Sequence, residues 1–351
     1  MSVSSWYRIL VRPVAFGAAA LIGVTACGSS PTSNNTGNST PTTMTTVKIG
    51  VYREISEAFL WNIGQFSRKY GIEPQFLEAG SYPEQLQAVA HGDDDIGIIG
   101  IPQIATLADK NLSSLKVVAG FSLGGQNIVV RKDINATSWK DLEGKTVGSP
   151  LSTGTGIMLQ IALLESGADM SKVKLVQSGF TGTAELQALQ SHQWDGLGFW
   201  SPVVDQAVVG GYAKYVPGMD MNATSIGPAN GVMVAGPSLL GNRTLLVNFL
   251  KAFTESMNYT RSNPNRWVDI AIQLTSTNNA VVRESLKHQD LSYDIDVQAA
   301  QKIAKYGPKF GFATTDVSST VANFIDASYL AAATGKSVSD VTQPVHMSPV
   351  G

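Results

Sequence analysis

Short apolar runs alternate along this chain with stretches whose apolar positions recur every three or four residues. Residues 47–52 (VKIGVY) are the first β-type run, and 57–69 follow with helical spacing at Phe59, Leu60, Ile63 and Phe66 until Gly71 stops it. A second strand is expected at 73–78, then a helix over 83–91, a strand at 96–99, a helix from Gln103 and a strand at 115–121. Strands alternating with helices predict βαβ units and a mostly parallel sheet. The same order returns downstream, with strands at 146–149 and 173–177 and helices over 155–167 and 184–190. At an offset of 100 residues, Leu86-Gln87-Ala88 falls on Leu186-Gln187-Ala188, Asp95 on Asp195 and Pro102 on Pro202. The matches sit at corresponding points of one helix–turn–strand unit, so the chain reads as two similar α/β lobes. Runs at 128–131 and 231–235 are taken as crossings. They put 47–131 and 231–351 in lobe 1 and 132–230 in lobe 2, with mobile segments at 131–133 and 227–231. Helices over 242–260 and 298–306 are expected to pack back on lobe 1.

Upstream the pattern changes. Arg8 and Arg12 precede an uncharged stretch, 13–26, with an apolar middle. That is the build of a secretory signal over 1–26, and its apolar run is shorter than the ~20 residues a membrane helix needs. Val24-Thr25-Ala26-Cys27 resembles the lipobox of bacterial lipoproteins, which implies that Cys27, the one cysteine of the chain, is lipidated and becomes the new N-terminus. Residues 28–46 contain only Ser, Thr, Asn, Pro, Gly and Met44, too little apolar area to offset the entropy of ordering, so 27–46 reads as a lipid-bearing, flexible tether. Composition narrows the field further. With 25 basic against 27 acidic residues and only 15% charged, nothing suggests a grip on nucleic acid. A single cysteine excludes a disulfide framework and a CxxC-type metal site.

Asp141-Leu142-Glu143-Gly144-Lys145-Thr146-Val147-Gly148, followed by Ser152-Thr153-Gly154-Thr155-Gly156, resembles the second-lobe opening of periplasmic solute-binding proteins of the sulfonate, nitrate and thiamine-precursor type. Asp95-Ile96-Gly97-Ile98-Ile99-Gly100 with Pro102, Val117-Val118-Ala119-Gly120 and Trp200-Ser201-Pro202 are similar to the same family. The order and spacing carry the resemblance, over about residues 47–235. It implies a two-lobed periplasmic-binding-protein-like (type 2) α/β fold, with mixed sheets flanked by helices and a cleft between the lobes. It also implies a monomer that binds a small-molecule solute without cofactor or metal and delivers it to the permease and ATPase of an ABC importer. With the lipobox, the expected location is the outer face of the cell membrane.

Ligands of open α/β sheets bind outside the carboxyl ends of strands. Four loop-to-helix junctions fall there: Tyr52-Arg53-Glu54, Ile101-Pro102-Gln103, Ser152-Thr153-Gly154-Thr155, and Thr181 with its neighbours. Helix N-termini offer free N–H donors to an oxyanion or a polar ring edge, although Ser and Thr there also serve as plain caps. Arg53 is placed to pair with an anionic head group, or else with Glu54. Phe180 and Trp200 are placed to cover an apolar part of a ligand, or to fill the core. Gln126 and Asn230 flank the crossings as hinge or wall. An anionic solute, an aliphatic sulfonate or taurine-like molecule, is preferred. A neutral heteroaromatic such as a pyrimidine precursor of thiamine is the alternative, as is a surface sensor not coupled to transport.

Catalysis finds no constellation. The segment 152–156 lacks the third glycine of GxGxxG, since position 159 is Leu159, and HExxH and Walker motifs are absent. His91 with Asp93, Asp94 and Asp95 reads as a solvated turn rather than a cation site. The histidine- and cysteine-rich stretch of thiamine-pyrimidine synthases, which resemble these receptors, is missing.

Overall fold

The computed structural model describes residues 44–348; the expected signal, Cys27 and residues up to 43 of the expected tether lie outside the described residues. Strands β1 (Thr45–Val51), β2 (Ile72–Glu78), β3 (Ile96–Gly100), β4 (Lys116–Gly124), β5 (Gln126–Arg131), β6 (Thr146–Ser149), β7 (Lys174–Gln177), β8 (Gly196–Trp200), β9 (Ala213–Lys214), β10 (Ala229–Ala235) and β11 (Gln289–Asp290) form two sheets. The first runs β11-β4-β10-β3-β1-β2 and the second β7-β6-β8-β5-β9. Pairing is parallel for β1 with β2 and β3 and for β6 with β7 and β8. It is antiparallel where β10 returns between β3 and β4 and where β5 lies against β8 and β9. Both sheets are therefore mixed, each around a parallel βαβ nucleus, and helices flank them.

The repeat at an offset of 100 has a physical counterpart. Asp95 accepts from Lys48 N–H at 2.8 Å and its own N–H donates to the Lys48 carbonyl at 3.0 Å. Asp195 does the same with Thr146, at 2.9 and 2.7 Å. In each lobe an aspartate before the third strand ties that turn to the first strand, giving an N–H group there its partner.

Two expectations change. The helix expected over 57–69 is a 3-10 turn, Ile55–Asn62, then a short α-helix, Ile63–Ser67, then a second 3-10 turn, Arg68–Tyr70. Its carbonyls are drawn outward: Trp267 Nε1 donates to the Ile55 carbonyl at 2.8 Å, and Ser256 Oγ to that of Phe59. Tertiary partners thus replace the i to i+4 ladder and tighten the turn. The first crossing also moves. The run read as ending lobe 1, 128–131, belongs to β5 of the second sheet, and the chain passes between the sheets at Gly124-Gly125, both with positive φ (63° and 74°). Arg131 sits at the far end of β5, where Asp133 (2.9 Å), Asp195 (3.1 Å) and the Trp194 carbonyl (3.2 Å) hold it. The return passage lies at Gly227-Pro228, where Gly124 N–H donates to the Pro228 carbonyl at 2.8 Å and binds the two crossings together. Among the described residues, no helix is long and apolar enough to cross a membrane.

Candidate ligand-binding cleft

At the carboxyl edge of the first sheet, the chain leaves β1 through Tyr52, Arg53 and Glu54. The fully buried Glu57 folds back over this turn: its carboxylate accepts from the Tyr52 N–H at 2.8 and 3.1 Å and from the Glu54 N–H at 3.1 Å. Glu54 is half-buried beside it. Burial raises the proton affinity of Glu54, and burial together with the charge of Glu54 raises that of Glu57, against the pull of backbone N–H groups of Tyr52, Glu54 and Arg53. The two carboxyls therefore titrate as a pair that holds a proton more tightly than free acids do. Tyr52 and Tyr82 meet edge to face with centroids 5.3 Å apart, and burial pushes both phenols up. Tyr82 also lies against Gly100 at the end of β3, where a Cβ would come within 3.5 Å of its ring and 2.6 Å of Gln103 Oε1. Tyr52, Tyr82, Gln103 and Glu54 thus gather at one lip, with Glu57 buried beneath them.

The opposite lip belongs to the second sheet. The helix Gly154–Glu165 begins against lobe 1: a Cβ on Gly154 would lie 3.3 Å from Gln126 Nε2 and 3.8 Å from Pro102. Gln126 Nε2 donates to Asn230 Oδ1, Asn230 Nδ2 donates to the Gly124 carbonyl at 2.7 Å, and Ile101 N–H donates to the Asn230 carbonyl at 2.7 Å. Ile101, Pro102, Gln103, Gln126, Gly154 and Asn230, expected from separate stretches of sequence, therefore meet at one seam. Thr155 is buried beside it, whereas Ser152 is exposed. Trp200 is half-buried on Phe199 with centroids 4.0 Å apart, and Phe180 is 58% exposed, so neither is simple core filling.

Other expected residues have internal partners. Arg53, in the left-handed region at φ 60°, turns its guanidinium to Glu78, not toward Glu54. Thr153 caps its helix, donating to the Pro150 carbonyl at 2.7 Å and accepting from Gly156 N–H at 3.5 Å. Thr181 donates to Glu185 at 3.3 Å. The 91–95 run is not wholly solvated: Asp94 is 5% exposed and accepts from Gln85 Nε2 at 2.7 Å. Among the described residues, no group of three or more His, Cys, Asp or Glu is placed to hold a metal. A cavity of about 270 Å³, bordered by Ser225, Asp296, Lys302 and His346, lies by the return crossing, away from these strand ends.

Reading the loops missed Glu57, Tyr82, Ser149 and Ser201. Glu57 opens the stretch read as a helix over 57–69, and Tyr82 stands just before the helix expected over 83–91. Ser149 and Ser201 stand at the last residue of β6 and the first after β8, where the same strand-end rule would have found them.

Two α/β lobes joined by paired crossings, with polar loops gathered at the facing strand ends, define the periplasmic-binding-protein fold. The family model described as NMT1/THI5 like matches residues 64–267, and the chain belongs to that family. A Brucella abortus (strain 2308) protein, named no more closely than as a binding protein, is 25% identical over 244 residues, covering 66% of this chain and 70% of that one. The periplasmic aliphatic sulphonate binding protein of Escherichia coli is similar with a TM-score of 0.69 at 17% identity, over 80% of this chain and 92% of that one. The periplasmic nitrate-binding protein of Synechocystis PCC 6803 gives a TM-score of 0.68 at 14% identity, over 85% and 91%.

Proposed function

We propose that this protein is the solute-binding component of an ABC importer, anchored by acyl chains on Cys27 at the outer face of the membrane, and that its cleft takes a small, uncharged nitrogen heterocycle bearing an amino group. Family membership and the two-lobed fold support the receptor role, in which a ligand touching both lobes favours the closed form only as far as it binds that form better. The observation that carries the solute class is the first lip. Arg53, the one cation among the expected site residues, is paired with Glu78, while Glu54, Glu57 and two phenols stand at the cleft. A carboxyl pair with one proton to share suits an amino group beside a ring nitrogen and repels an anion. A second reading, an oxyanion, draws on the helix N-termini at Pro102 and Gly154 and on the sulphonate and nitrate ligands named for the two structural neighbours.

Thermal-shift screening of the full-length protein separates the readings, because binding only the folded state raises the melting temperature. A rise with 4-aminopyrimidines and none with taurine or nitrate is expected; the reverse pattern overturns the heterocycle reading.

A further inference from the structure

Residues 341–348 bring the chain back to the crossings. They run along 290–296 of lobe 1 in the opposite direction and are tied to it by backbone groups: Ile295 N–H donates to the Val341 carbonyl at 2.9 Å, Val345 N–H to Asp296 Oδ2 at 3.1 Å and Ser348 N–H to Asp290 Oδ2 at 3.0 Å. Val341 and Val345 are buried. Both carboxylates are themselves fixed. Asp290, fully buried, holds Arg261 through two bonds of 2.8 Å, and Asp296 caps the helix Val297–Ala304 by accepting from Ala299 N–H at 2.8 Å. The segment therefore lies on a rigid bed that belongs to lobe 1.

This segment meets both crossings. Met347 Sδ lies against Gly124, where a Cβ would come within 2.6 Å of it. Leu123 and Gly124 pair with Asp290 and Gln289 of β11, and Gly125 N–H donates to the His288 carbonyl at 2.8 Å, so Met347 and β11 both bear on the forward crossing. On the return side, Pro344, Val345 and His346 border the cavity of about 270 Å³ whose other walls include Ser225, Gly227 and Pro228. Lobes joined by two crossings rotate by changing the backbone angles of those crossings. Such a hinge needs room to turn into and something that ends the turn; the cavity offers the first and the segment the second.

We propose that residues 341–348 are a strap that limits how far the lobes open. Met347 bears on the forward crossing, and the return crossing has only the cavity to move through before it meets 344–346. Fixed through Asp290 and Asp296, the strap stays with lobe 1 while lobe 2 turns against it. By removing the widest-open arrangements it lowers the free energy needed to reach the closed form, and so raises the apparent affinity for whatever solute the cleft takes.

The test is amide hydrogen exchange of the full-length protein, without solute, in Ser348→Pro, Ser348→Ala and Met347→Ala. Ser348→Pro removes the N–H that reaches Asp290, Ser348→Ala keeps it, and Met347→Ala removes the thioether while keeping the backbone ties. Exchange at Gly124 and Gly125, whose N–H groups are held by the Pro228 and His288 carbonyls, is expected to rise about tenfold in Ser348→Pro and Met347→Ala and to stay within about twofold in Ser348→Ala, with β6 and β7 unchanged. Small-angle scattering is expected to give a larger radius of gyration for Ser348→Pro and Met347→Ala. Exchange at 124–125 within about twofold of wild type in either of these overturns the strap. So does an equal rise over β6 and β7, which reports lost global stability in place of a freed hinge, and so does a Ser348→Ala protein that matches Ser348→Pro. A wild-type radius of gyration in both variants overturns the limit on opening even where exchange rises.

Discussion

Replacing Glu54 by glutamine changes how stability depends on pH, and the direction follows from the lip geometry. In the folded protein the Glu54–Glu57 pair binds a proton more tightly than two free carboxyls, with Glu54 raised from 4.5 to about 7 and Glu57 to about 8. Between 4.5 and about 8 the folded state therefore holds more protons than the unfolded one, so wild-type stability falls as pH rises through that window. At ~1.4 kcal/mol per pH unit the change at Glu54 is bounded near 3 kcal/mol, and its half-exposed position reduces this to about 1–2 kcal/mol. Glutamine imitates the protonated acid and removes the charge that faces Glu57. Denaturant titrations at pH 5 and pH 9 are expected to give equal stabilities for Glu54→Gln and wild type at pH 5, with the variant more stable by about 1–2 kcal/mol at pH 9. Parallel pH curves for the two proteins, or a wild type that gains stability from pH 5 to 9, would refute the shared-proton account.

Gly148→Ala puts a Cβ 2.2 Å from the Trp194 ring and is expected to cost about 1–3 kcal/mol, read as a lowered melting temperature. Asp195→Ala strips the Thr146 N–H and Arg131 of a partner in one step, so a loss of about 2–3 kcal/mol in chemical denaturation is expected. Ser285→Ala removes the hydroxyl that donates from lobe 1 to the buried Asp205 of lobe 2 at 2.6 Å, leaving that carboxylate only Tyr215; about 1–3 kcal/mol is expected, with a larger radius of gyration in small-angle scattering. Arg53→Gln, by contrast, breaks an ion pair exposed at 40% and 56%, and is expected to leave stability within about 0.5 kcal/mol and 4-aminopyrimidine affinity within about twofold by calorimetry.

The strands were legible because burial on both faces leaves uninterrupted apolar runs, and 96–99 inside β3, all of it buried, is the clearest case. The repeat was legible because Asp95 and Asp195 perform one local task and a local task leaves one local letter. The first crossing was not. Gly124-Gly125 reads as any turn, and only the pairing of Gln126 with Trp200 assigns the following run to the second sheet. The broken helix after β1 was hidden for a similar reason: Trp267 and Ser256, some 200 positions away, decide where its carbonyls point. At the cleft, loops revealed where a ligand meets backbone, but the partner of Arg53 is a glutamate on a neighbouring strand, and adjacency across strands is not written in linear spacing.

Only Gly125 stands between the last residue of β4 and the first of β5. A pivot that short would leave no slack: the ladders stiffen the chain up to either side of it, so halves that closed on a solute would turn like boards on a pin. A tilt of a few degrees there would be multiplied by the distance to Phe180 and Glu54 at the rims. Changes in solute affinity are thus to be sought among substitutions at the pin, far from anything the solute touches, as well as among those at the rims.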